Sequence, residues 1–175
     1  KAKKPILINE LKLIIKAIDE EKIRDKALIL IGFSGGFRRS ELVNIQYEDI
    51  EFVTEGVKIL IKRSKTDQSG EGSIKAIPYF DNQEFCPVIA LKNYINKKFY
   101  KISEGKIFDI SDKSVALIIK RYAEKAGLDS SKYAGHSLRS GFATTAAEFG
   151  AEERNIMAMT GHKTTQMVRR YIQEA

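Results

Sequence analysis

A chain of 175 residues, 43% of them hydrophobic, is long enough to close a single domain around a real core. Lys and Arg number 30 against 23 Asp and Glu, a formal net charge of +7, which favours a polyanionic partner such as nucleic acid or an acidic membrane surface. The one cysteine, Cys86, excludes an internal disulfide framework and any multi-cysteine metal site and points to a reducing compartment, while no apolar run approaches the roughly 20 residues of a membrane span.

In chain order, KAKKPILINE lacks the apolar segment of a secretory leader, and without an initiator Met the chain reads as an excised domain or a processed product. Asn9 is placed to cap a helix whose apolar residues Leu11, Ile14, Ile15 and Ile18 recur at three- and four-residue steps. IRDKALILIGF predicts a second helix that stops at the glycines of SGG, and RRSELVNI a short third one running into a polar turn at QYED. IEFV, GVKILIK and SIKAIPYF are rich in β-branched and aromatic residues and predict a small antiparallel sheet, with KTDQSGEG as a hairpin tip. Cys86 precedes Pro87 as a small buried thiol at a helix start. Helices return in PVIALKNYINKKF, SVALIIKRYAEKAG, SLRSGFATTAAEFG, ERNIMAM and TTQMVRRYI. The fold class is therefore mainly α with a small antiparallel β-sheet or hairpin, an α+β arrangement without repeats or internal linkers.

Four stretches could carry chemistry. GFSGGFRRSEL has a glycine turn before a helix, yet no Lys-Ser or Lys-Thr follows and the preceding segment is helical, so a P-loop is excluded. Its arginine pair can fork onto phosphate oxygens or form a solvated, salt-bridged face. Lys65 and Thr66 sit at the hairpin tip, where a long side chain reaches a bound groove or merely keeps the tip soluble. In GHSLRSGF, a helix starting at Ser137 would put His136 and Arg139 on one side, a proton acceptor beside a fixed cation. In TGHKTTQMVRRYIQEA, His162 precedes Tyr171, whose ring packs in a core or whose hydroxyl does chemistry. No His-Glu-x-x-His, clustered acidic ligands or G-x-S-x-G elbow occurs, so neither a metal enzyme nor a serine nucleophile is indicated. Two arginines, two histidines, a lysine and a tyrosine suit metal-free phosphoryl transfer, because fixed cations can stabilise a pentacoordinate phosphorane.

GGFRRSELVNIQYEDI, GHSLRSGFATTAAEFGA and IMAMTGHKTTQMVRRYI, in that order and with SKTDQ between the first two, resemble the tyrosine recombinases, or phage-type integrases. The resemblance spans essentially all of residues 1–175 as the family's C-terminal catalytic domain, without the usual N-terminal DNA-clamping domain. It implies that Arg38 is the first catalytic arginine and Arg39 the variable position. Glu41 would be the supporting acidic residue and Lys65 the mobile hairpin lysine. His136 and Arg139 would form the His-x-x-Arg motif, His162 the Gly-His motif, and Tyr171 the nucleophile.

The implied activity is site-specific recombination of double-stranded DNA through a 3′-phosphotyrosyl intermediate, with no cofactor, metal or ATP. Full-length relatives of this kind would assemble as tetramers on paired sites, whereas this domain alone would be monomeric, cytoplasmic, nucleoid-associated and free of membrane. A type IB topoisomerase is the nearest competitor, but such enzymes typically carry Lys where this chain has His136. A non-catalytic DNA-binding relative is the other, and the full polar set argues against it.

Overall fold

The computed structural model describes residues 3–62, 72–97 and 105–148. The central element is α2 (Ile23–Ser34), in which every residue from Ala27 to Ser34 is buried. A helix apolar on all sides must be wrapped on all sides. Around it lie α1 (Ile8–Lys16), α3 (Arg39–Asn44), α4 (Pro87–Lys97), α5 (Asp112–Lys125) and α6 (Ser137–Glu148), with α4 and α6 directly against α2. No helix among the described residues is long and apolar enough to cross a membrane.

Helix α1 buries Leu11, Ile14 and Ile15 as the periodicity requires, but Asn9 does not cap it. The extended residue ahead of the helix is Leu7, and its N–H is taken by the Glu10 carboxylate at 3.0 Å. An acid three residues into the helix satisfies the free N–H as well as a preceding Asn would. Glu10 also accepts from Lys4 Nζ (2.9 Å) and the Tyr133 hydroxyl (2.7 Å), which binds the start of the chain to the segment leading into α6.

β1 (Ile50–Val53), β2 (Gly56–Ile61) and β3 (Ser73–Pro78) form a three-stranded antiparallel sheet in the order β1-β2-β3. The β2–β3 register runs from Gly56 opposite Pro78 to Ile61 opposite Ser73. Lys62, just past β2, ion-pairs with the buried Asp49 at 3.3 Å and so fixes where the connection bearing Lys65 departs. The connection from residue 63 to 71, all of KTDQSGEG but its last glycine, lies outside the described residues, as do ERNIMAM and TTQMVRRYI. Cys86 is fully buried before Pro87, its Sγ accepting the Phe80 N–H at 3.3 Å.

α6 starts at Ser137, as its sequence predicts. The Ser137 hydroxyl accepts the Ala134 N–H (3.0 Å), and the Ser137 carbonyl accepts the Ile6 N–H (3.0 Å). Gly141 lets the N-terminal segment cross this closely: a Cβ there would stand 2.1 Å from the Ile6 carbonyl oxygen. On the far side of α2, the buried Asp25 accepts the Tyr122 hydroxyl of α5 and pairs with Arg24 at 3.0 Å. α6 itself packs against α2, with Leu138 closing over Gly32 near the C-terminal end of α2, and that junction is where the candidate groups meet.

Candidate active site

Helix α2 ends in a Schellman turn, with Gly36 at φ 61°, Phe37 N–H bonded back to the Gly32 carbonyl (3.0 Å) and Gly36 N–H to Phe33 (3.1 Å). Only glycine takes that left-handed conformation without penalty. The turn leaves the Gly35 and Gly36 carbonyls available as acceptors and buries Phe37. Arg38 follows in extended conformation at the mouth of α3. Its N–H donates to Glu41 Oε1 at 2.9 Å while its Nη1 lies 3.6 Å from Glu41 Oε2, so one carboxylate orients both backbone and head group. The Arg38 side chain remains 58% exposed, open to a ligand.

Arg139 comes from the first turn of α6, and its Nη1 donates to the Gly36 carbonyl at 2.8 Å. Half-burial and the repulsion of Arg38 push its guanidinium below the ordinary arginine value, and Glu41 opposes both. Arg38, Glu41 and Arg139 therefore share one electrostatic site built on a single turn. His136 stands exposed in the turn immediately before α6, three residues ahead of Arg139, and its carbonyl accepts the Ser140 hydroxyl at 3.0 Å. Arg39 turns elsewhere: its Nε lies 3.9 Å from Asp112 of α5, and its stem covers Gly135, where a Cβ would be 2.6 Å from Arg39 Cδ. Lys65, His162 and Tyr171 lie outside the described residues.

A further cation at this turn is one that the motifs did not suggest. Lys75 of β3 is 4% exposed, and its Nζ donates to the Gly35 carbonyl at 2.7 Å and the Gly36 carbonyl at 3.2 Å. The ammonium lies 4.6 Å from the Phe37 ring centroid. Burial lowers its pKa from 10.5 to about 8; Glu41 works against that fall, and Arg139 and Arg38 add to it. The available signal was strand alternation: Lys75 shares a face with the buried Ile77, whereas Ile74 points outward at 57% exposure. Three cations and one carboxylate at one turn form a site suited to a phosphate group.

Residues 6–175 match the family model described as the phage integrase family. The integrase/recombinase xerD homolog of Selenomonas ruminantium is 48% identical over 189 aligned residues, covering 99% of this chain and 55% of that protein. The chain thus spans about half the length of the curated relatives it matches. In fold it is similar to the crystal structure of XerA recombinase, with a TM-score of 0.72 at 23% identity, over 98% of this chain and 61% of the other. It is likewise similar to XerH site-specific recombinase bound to difH substrate, with a TM-score of 0.69 at 18% identity, over 99% and 50%. With Arg38, Glu41 and Arg139 gathered at the end of α2, and a match that runs from residue 6 to the last residue, the chain belongs to the phage integrase family of tyrosine recombinases.

Proposed function

We propose that this chain is the catalytic domain of a site-specific DNA recombinase that cuts and rejoins strands by transesterification. The observation that carries the reading is the hydrogen bond from Arg139 to the Gly36 carbonyl, which brings an arginine of α6 beside Arg38 at the mouth of α3. Two guanidinium groups so placed can clamp the non-bridging oxygens of one phosphodiester, and Glu41 keeps the first of them aimed. That XerH site-specific recombinase, similar in fold, is bound to difH substrate supports a recombination site in double-stranded DNA as the ligand.

In this reading the Tyr171 hydroxyl oxygen attacks phosphorus, forming a P–O bond to tyrosine as the P–O5′ bond breaks. The phenolic proton passes to His136, and Lys65 protonates the departing 5′-oxygen. His162 donates a further hydrogen bond to the phosphorane. A phenol with a pKa of about 10 requires such an acceptor at neutral pH. A 5′-hydroxyl from a second strand then reverses the step, so the phosphodiester's free energy is conserved in the tyrosyl linkage and no ATP is consumed. On paired sites the full-length protein acts as a tetramer.

The test is a nicked suicide duplex carrying the recombination site, incubated with the full-length protein. The wild type gives an SDS-resistant protein–DNA complex, and Tyr171→Phe gives none. A complex that persists in the Phe variant removes the nucleophile assignment.

A further inference from the structure

Lys75 is a buried ammonium whose contacts are carbonyl oxygens rather than a carboxylate: none of the ion pairs among the described residues includes it. Taking a charge out of water is unfavourable, and a methionine of similar length would fill the same space without that penalty. What the ammonium supplies is a grip on two consecutive carbonyls, those of Gly35 and Gly36. The second of these is the oxygen that also holds Arg139, and Arg38 follows two residues later. The Phe37 ring closes the cluster from the side, so that the turn is fixed by a strand, a helix and its own aromatic residue.

We propose that Lys75 is a positioning residue of the strand-transfer site: by holding the Gly35 and Gly36 carbonyls it sets the turn on which Arg38 and Arg139 converge toward one phosphate. The inference rests on the DNA strand-transfer reading above. It also gives the sheet a role, since β3 is the strand into which the connection bearing Lys65 runs. One side chain thus ties the exit of that connection to the arginine pair. Because Gly36 accepts from both Lys75 and Arg139, losing either donor disturbs the placement of the other.

The experiment uses the full-length protein and a nicked suicide duplex carrying its recombination site, comparing wild type, Lys75→Met, Arg139→Lys and the double variant. Lys75→Met is expected to slow covalent-complex formation at saturating DNA about 30-fold, while affinity for the same duplex changes by no more than about threefold. In the double variant the two losses do not multiply: it is slower than Arg139→Lys alone by at most about threefold. A purely structural lysine would lower stability and leave the two losses independent. Should Lys75→Met unfold at the assay temperature, Lys75→Gln, which keeps a donor without the charge, takes its place in the same comparison. A variant that reacts at the wild-type rate, losses that multiply, or a failure of both variants to fold would each overturn the proposal. A wild type that forms no covalent complex overturns the strand-transfer reading along with it, whereas a reactive wild type matched by Lys75→Met overturns the Lys75 inference alone.

Discussion

The Arg139 guanidinium and the Lys75 ammonium converge on one atom, the carbonyl oxygen of Gly36, at 2.8 and 3.2 Å. One comes from the helix beside α2 and the other from the sheet. Neither is near Gly36 in sequence, so the turn at the end of α2 is the joint on which the site's charges are assembled.

Arg139→Lys separates the clamp from simple charge. A lysine keeps the cation but cannot hold the Gly36 carbonyl with one nitrogen while presenting others to a phosphate. Single-turnover covalent-complex formation is expected to fall about 10²- to 10³-fold, with DNA affinity reduced less than about tenfold. A rate near that of the wild type would show that Arg139 contributes charge alone.

Gly36→Ala tests the turn. At φ 61° a Cβ is strained, and the substitution is expected to lower unfolding free energy by about 1 kcal/mol in a urea titration. It also displaces the carbonyl that holds Arg139, so the cleavage rate falls by more than the loss of folded protein accounts for. Gly127→Ala is the control: φ there is 84° with nothing within 4 Å of the added Cβ, so the stability loss is similar and the rate per folded molecule is unchanged. Equal rate losses in the two variants would show that the Gly36 effect is only backbone strain.

The pH dependence of stability follows from Lys75. Its pKa is about 8 in the folded protein and returns to 10.5 on unfolding. Between those values the unfolded chain binds a proton that the native chain lacks, so this group makes stability rise with pH across that window. Below pH 8 the native protein carries the buried ammonium at a penalty of about 3 kcal/mol. The charged groups facing it are Glu41, Arg139 and Arg38, and only Glu41 favours the protonated form. Measured against Lys75→Met, the wild type is expected to gain relative stability from pH 8 to 10.5 and to be level with pH below 8. Burial raises Tyr94, Tyr122 and Tyr133, which lowers stability at higher pH, but both proteins share those groups and the difference cancels them. A difference that is flat across the window would place the Lys75 ammonium in a solvated setting.

Much of the fold was legible because it is local. Periodic apolar residues placed α1, α2 and α4 to α6, β-branched runs placed three strands, and Ser137 marked the start of α6. Asn9 was misread because the capping acceptor was Glu10, one residue further on, acting on Leu7. Residue type alone does not separate the two arginines after the glycines, and it was the family resemblance that singled out Arg38. In the fold they diverge: Arg38 meets Glu41, and Arg39 lies over Gly135 toward Asp112.

By itself the sequence determined which of the described segments become helix or strand, and through three ordered motifs, with SKTDQ between the first two, it named the residues to seek, including Lys65, His162 and Tyr171 beyond the described residues. The family resemblance already implied one site for Arg38 and Arg139; only the tertiary structure decided that they meet on the turn at Gly36 and that Lys75 joins them there. A helix shows in apolar residues three or four positions apart and a strand in β-branched runs, but a hydrogen bond spanning 103 positions, as between Arg139 and Gly36, exists only once α6 has packed against α2. A lysine on a strand face reads as solvated until the fold buries that face and supplies two carbonyls to receive it.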